Sequence, residues 1–296
     1  MTKTVKTVKT IEVSDTPSIA ALFFRALGTG VKHPGVVRSL PPVTLVLPKV
    51  ELSAAHVERY AQLCGFDPAM GTPLLYPQLL TFPLVTAYMC SSHCPWPALG
   101  TVHLANSVVQ QRRLVAGEQL RVELGAGHLF PHPKGQGFTL DLRILSAGEP
   151  VWTATQSLLR LGVKRSTGEA VSSPFDTTIP LSCQTEFNAF ADIGRRYARV
   201  SGDHNPIHLT ALTARLFGFR RAIAHGMWTQ ARALACLLPP APLERASLAV
   251  EFKAPLFLPG RATLWSARHT HGAEFEVRDA KGQRPHLHGQ FSYQAA

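Results

Sequence analysis

The chain repeats itself once, and the repeat limits its fold more than any other feature. Tyr60-Ala-Gln-Leu-Cys-Gly65 lines up with Tyr197-Ala-Arg-Val-Ser-Gly202. Downstream, Val115-Ala-Gly117 lines up with Leu258-Pro-Gly260, each ahead of a strand-like run, 118–124 and 261–267. Each half then closes on two strand-like runs around a Gly-containing turn, 138–145 with 151–161 and 274–278 with 286–293. Matched features in one order at similar spacing imply two copies of one supersecondary plan. Leu248-Ala-Val-Glu-Phe-Lys-Ala254 alternates as a half-buried strand does. A short helix, a loop, a longer apolar helix and several long strands per copy predict an α+β fold, an antiparallel sheet wrapped around a central helix in each half.

Four segments follow from this reading. Residues 1–44 form an N-terminal tail and lead-in, its first thirteen residues a solvated tail. Residues 45–162 form the first copy. Residues 163–179, polar and bearing Ser, Gly and Pro, form a linker, and residues 180–296 form the second copy. From Pro68 to Gln111 there is no Asp, Glu, Lys or Arg. A membrane span needs about 20 mostly apolar residues. Pro73, Pro77, Pro83, Pro95 and Pro97 interrupt this stretch, so the expectation is a buried core helix over about 79–88 and no membrane span. With no apolar run behind the N-terminal lysines no signal peptide is expected, and the expected location is cytoplasmic.

At 296 residues with 45% apolar and 17% charged residues the chain can build real cores. Its formal charge of +11 favours anionic partners. The basic residues are scattered and no nucleic-acid motif accompanies them, which argues for small phosphorylated ligands or an acidic carrier protein over nucleic acid. Five cysteines, an odd number without zinc-finger spacing, are expected as ordinary thiols. His269/His271 and His286/His288 sit two apart on predicted strands and are expected as exposed histidines, with no metal site.

The chemistry concentrates in the second copy. Gly202-Asp203-His204-Asn205-Pro206 is turn-forming, and His208 follows at a fixed offset. His208, with an ordinary pKa near 6.5, can accept a proton at neutral pH, and Asp203 can hold the same water. Asn205 and Asp203 could equally cap the turn or a helix beginning near Leu209. Ile223 to Leu238 reads as a mostly apolar helix ending before Pro239-Pro240. Gly226 at its start offers an N–H without a helical partner, suited to an oxygen gaining negative charge. His225 is ambiguous: it could contact substrate or simply pack, and no proton-transfer role is given to it. Met227 and Trp228 read as core. In the first copy Phe66 stands where Asp203 stands and Gly71 where His208 stands, so the acid/base pair exists once. A carboxylate, an imidazole and a helix-start N–H together suit the movement of water across a double bond beside a carbonyl.

Tyr197-x-x-x-Ser-Gly-Asp-x-Asn-Pro-x-His208, with Ala214, Phe217-Gly-Phe219 and Ile223-Ala-His-Gly-Met227, resembles the signature of the MaoC-like (R)-specific enoyl-CoA hydratases. Leu75-Tyr-Pro77, Phe82-Pro83 and His103-x-x-Asn106 look like its double-hotdog branch, over about residues 45–293. The resemblance implies a double-hotdog fold and reversible hydration of trans-2-enoyl thioesters to (R)-3-hydroxyacyl products. It implies Asp203 and His208 as the catalytic pair, Asn205 orienting the Asp or the water, and the Gly226 N–H on the thioester carbonyl. Ala233-Leu-Ala235 stands where some single-hotdog members carry a serine, which suggests a more apolar floor. Coenzyme A is then part of the substrate and no separate cofactor is expected. Arg220, Arg221, Lys253 and Arg261 are candidates for its phosphates, with solvated surface charge the competing reading for each. Dehydration of acyl-carrier-protein thioesters, a non-catalytic acyl-thioester binder and a thioesterase are the alternatives. Two hotdog halves in one chain allow a monomer, and a homodimer is equally open. Chain length, pathway and physiological direction are not set by the sequence.

Overall fold

The computed structural model describes residues 8–13, 25–26, 28–32, 35–164, 168, 173, 175–176 and 178–295. Most of the expected linker lies outside the described residues. The chain divides into two compact units that interleave along the sequence. One comprises Met1–Val50, Leu80–His103 and Gln119–Ser172, the other Glu51–Leu79, Leu104–Glu118 and Ser173–Ala296.

In the first unit β1 (Lys9–Glu12), β2 (Val43–Glu51), β4 (Gln119–His132), β5 (Gly135–Ser146) and β6 (Glu149–Leu161) pair in that order. β1 lies parallel to β2, with Lys9 opposite Val43 and Glu12 opposite Val46. This corrects the solvated-tail expectation for residues 9–12. A polar strand can satisfy its backbone on a sheet edge while its side chains stay largely exposed, as these do. The apolar helix α2 spans Pro77–Cys90, slightly longer than expected, and buries Leu84 and Tyr88 completely. Phe138 and Trp96 pack at 5.1 Å between ring centroids in this unit's core.

The second unit carries part of β3 (Thr101–Gln110) with β8 (Leu243–Phe252), β11 (Pro285–Ala295), β10 (Gly272–Asp279), β9 (Gly260–His269) and β7 (Ser182–Ala189), in that order. All neighbours are antiparallel, with Val108 opposite Leu248 and Leu248 opposite Phe291. The central helix α5 (Gly226–Ala235) buries Trp228, Thr229, Gln230, Ala231, Ala233 and Leu234. Beside it lies α1 (Ala54–Cys64), which also packs on α3 (Ile193–Ser201). These are the repeated Tyr…Gly segments: Gly65 and Gly202 end their helices at φ 80° and 78°, where glycine meets no Cβ penalty. The matched Tyr60 and Tyr197 meet at 6.4 Å. Trp228 reaches across to donate from Nε1 to the Leu63 carbonyl at 3.5 Å.

Some boundaries and exposures differ from expectation. The central helix starts at Gly226, not Ile223, because Ile223 and Ala224 donate their N–H groups to Ile207 and Leu256 and run extended. The helix after the loop is α4 (Ala211–Arg215), capped by Thr210. His269 and His271 are exposed as expected. His286 is buried and donates from Nδ1 to the Ala254 carbonyl at 3.1 Å, and His288 sits 3.3 Å from Glu276. β11 lies between β8 and β10, so neighbours on both sides cover these residues. No helix among the described residues is long and apolar enough to cross a membrane.

Candidate active site

The turn-rich loop after α3 folds back on itself through local bonds. Gly202 ends α3. The Asp203 N–H donates to Ser201 Oγ at 3.2 Å and the Asn205 N–H to Asp203 Oδ1 at 3.1 Å. Asn205 Oδ1 then accepts from the Ile207 N–H at 3.4 Å and caps the 3₁₀ turn Pro206–His208. Thr213 Oγ1 of α4 donates to the Pro206 carbonyl at 2.7 Å and braces that turn from behind. Asn205 is thereby occupied with its own backbone in this structure, while Asp203 Oδ2 remains directed toward the histidines.

His208 and His225 stack, with ring centroids 3.7 Å apart and planes inclined by 26°. One ligand atom each from Asp203, His208 and His225 lies within 4.8 Å of the other two. The imidazoles are buried, at 8% and 2% exposure, and the Asp203 side chain, at 31%, forms the solvent side of the cluster. A carbonyl only accepts, so the bond partners assign both tautomers. His208 Nδ1 donates to the Ile223 carbonyl at 2.8 Å, leaving the Nε2 lone pair available. His225 Nε2 donates to the Asp203 carbonyl at 3.0 Å, leaving a buried Nδ1 without a partner among the described residues.

Electrostatics keep both rings neutral. Burial pulls the His208 pKa below its ordinary value, opposed by the Asp203 charge and the Ile223 carbonyl. Burial, and then the neighbouring His208, push His225 down to about 3. Tyr197 packs on His225 at 4.9 Å, and burial holds its phenol protonated. Two neutral imidazoles beside a carboxylate can accept a proton from water and return it. The same three groups meet the distance requirement for a cation.

Gly226 is the first residue of α5, so its N–H has no acceptor within the helix. His225 and Gly226 are adjacent, and the helix-start donor therefore adjoins the imidazole stack. The space beside Gly226 is filled by Phe252, whose ring atoms would lie 2.9–3.3 Å from any Cβ placed there. Of the four basic candidates, Lys253 pairs with Glu251 at 2.8 Å and Arg261 with Glu186 at 3.2 Å. Arg220 and Arg221 instead lie over the Phe257 ring at 4.8 and 5.5 Å, and Phe257 bridges Ile223, the residue that holds His208. Sequence reasoning passed over Gly194. Any Cβ there would collide with the His208 carbonyl, so α3 can approach His208 only through a glycine. A glycine inside a helical run was the available signal.

The chain is similar to several known proteins. The family profile described as MaoC like domain matches residues 168–268. A curated relative, 3-hydroxyacyl-thioester dehydratase X of Mycobacterium tuberculosis, is 31% identical over 249 residues, covering 84% of this chain and 88% of the relative. The crystal structure of HtdX from that organism superposes with a TM-score of 0.74 at 28% identity, over 85% of this chain and all of the other. A MaoC-like dehydratase from Phytophthora capsici gives 0.71 at 18% identity, over 85% and 95% of the two chains. A Mycobacterium tuberculosis protein described as a double hotdog gives 0.53 at 13% identity, over 85% and 96%, a likeness of fold. With an acid, two stacked imidazoles and a glycine helix start on a double-hotdog frame, the chain belongs to the MaoC-like dehydratase family and is a hydro-lyase.

Proposed function

We propose that the protein interconverts trans-2-enoyl and (R)-3-hydroxyacyl thioesters, with coenzyme A as the thioester carrier and no separate cofactor, in a cytoplasmic setting. The observation that carries this reading is the convergence of Asp203, His208 and His225 within 4.8 Å beside the α5 start at Gly226. The curated relative named as a 3-hydroxyacyl-thioester dehydratase supports the substrate class.

In the hydration direction the thioester carbonyl docks on the Gly226 N–H. Water lies between the Asp203 carboxylate and His208 Nε2, gives a proton to one of them and bonds through oxygen to C3. The electron pair of the double bond moves onto the thioester as an enolate, held by the helix-start donor. The proton then passes to C2, and the pair returns to its starting state. Asn205 keeps the loop in shape so that Asp203 faces the water. Arg220 and Arg221, the basic candidates adjoining the extended segment at Ile223 that holds His208, contact the phosphates of the carrier.

Loss of enoyl-thioester absorbance tests this directly. Asp203→Asn and His208→Ala are expected to lower kcat by about 10²–10⁴, the usual scale of positioned acid/base groups, with thermal unfolding little changed. Wild type inactive on enoyl-CoA but active on carrier-protein thioesters would change the carrier and keep the chemistry. Inactivity on both, or variants that keep their rate, would sink it.

A further inference from the structure

The two most exposed leucines among the described residues stand one helical turn apart. Leu212 is 72% exposed and Leu216 is 79% exposed. Leu212 lies within α4, and Leu216 closes it with helical backbone angles, φ −61° and ψ −20°. Residues four apart on a helix share a face, so both side chains protrude along one edge. Single exposed apolar residues are ordinary, but a paired edge marks a contact surface.

The surroundings of this edge are basic. From His204 to Leu243 there is no Asp or Glu. Arg215 is exposed on α4 itself. Arg195 of α3 donates from Nη1 to the Leu209 carbonyl at 3.0 Å, at the entry to α4, and Arg199 is exposed one turn further along α3. Among the described residues none of these three arginines is paired with a carboxylate. The occupant must therefore be anionic and must receive two protruding leucines. A folded acidic partner would need a fitted pocket for each leucine. An anionic lipid surface needs none: apolar side chains enter the acyl boundary and arginines meet the headgroup phosphates.

Resting on the hydratase reading for its substrate, we propose that α4 docks the enzyme on an anionic lipid surface, with Leu212 and Leu216 inserted and Arg195, Arg199 and Arg215 on the phosphates. Removal of each leucine from water contributes about tenfold or more in affinity, and each arginine about fivefold near a charged leaflet. Stable attachment takes both kinds of signal. The edge adjoins the chemistry, because Thr213 Oγ1 of α4 donates to the Pro206 carbonyl in the turn that ends at His208. Docking thus sets the catalytic loop close to the lipid, where long-chain acyl thioesters collect as amphiphiles.

Cosedimentation of the full chain with phosphatidylcholine vesicles, pure or containing about one-third phosphatidylglycerol, tests this. Wild type is expected on the mixed vesicles and not on the pure ones. The double variant Leu212→Ser/Leu216→Ser is expected to bind at least about tenfold more weakly, and Arg215→Gln about fivefold. Arg245→Gln, at the far end of β8 from Phe252, removes the same charge elsewhere and is expected to change binding less than about twofold. Thermal unfolding checks the fold of each variant, and kcat/KM on crotonyl-CoA, which stays in water, is expected to hold in the leucine variant. Binding that survives loss of both leucines, or that falls equally with Arg245→Gln, would overturn the proposal. So would a leucine variant that keeps vesicle binding and loses turnover of an enoyl carrier-protein thioester, which would assign the edge to an acidic protein. Wild type inactive on crotonyl-CoA with leucine-dependent vesicle binding intact would fault the hydratase and keep the docking edge.

Discussion

At the scale of single residues, Gly226 is fixed by what lies beside it. Its backbone is not left-handed, so an alanine would meet no conformational strain, only the Phe252 ring at 2.9–3.3 Å. Gly226→Ala is expected to destabilise by about 1–3 kcal/mol, as overpacking does, and to lower kcat by displacing the first-turn N–H. Adding Phe252→Leu should return part of the melting temperature, and calorimetry on both variants checks it. The histidines set a pH response. Their folded pKa values lie below the ordinary 6.5, so below that pH the unfolded chain binds more protons than the folded one. Stability is therefore complete above about pH 6.5 and is lost as pH falls toward the folded values, about 3 for His225. The slope is at most about 1.4 kcal/mol per pH unit per histidine. Melting temperature measured from pH 7.5 to 4.5 should fall, and fall less in His225→Phe; parallel curves would deny His225 a share. Asp203 and His208 were legible because five residues of turn-forming sequence place them locally. The stacking of His225 on His208 was not, since it depends on the Ile207–Ile223 contact between two separate segments.

At the scale of elements, the loop and its brace act together. Thr210 caps α4 with a reciprocal bond to Thr213, and Thr213 also holds the turn that ends in His208. Thr210→Ala is expected to cost ~1 kcal/mol and to lower the melting temperature by a few degrees, with a smaller loss of kcat/KM. An unchanged melting curve would show that the cap carries no weight. The sequence located the central helix but put its start three residues early. Ile223-Ala-His is apolar enough to extend the helical pattern, and only the bonds from Ile223 and Ala224 to other segments hold it extended. The runs read at 138–145, 151–161, 274–278 and 286–293 fall inside β5, β6, β10 and β11 because alternation survives there in the sequence. The burial of His286 and the half-burial of His288 were missed because strand order decides which strand has neighbours on both sides.

At the scale of the whole molecule, the charge of +11 remains after Lys253 and Arg261 are matched to carboxylates. Turnover of an anionic thioester should therefore be steered: kcat/KM is expected to fall several-fold between about 0.05 and 0.5 M salt while kcat holds, since the Debye length shrinks below ~10 Å. A kcat/KM independent of salt would remove steering from the account. Duplication, the α+β class and the presence of the Asp203–His208 pair in one copy alone were legible in the sequence. Each rests on local periodicity, on turn chemistry, or on comparing one copy with the other. Tertiary structure alone decided which nitrogen of His208 is available, what fills the space beside Gly226, and that Gly194 admits His208. It also decided that the loop with Phe66 and Gly71 in place of Asp203 and His208 lines a cavity. Periodicity tells which face of an element is apolar, but not which other face will meet it, and these features all arise where distant segments touch.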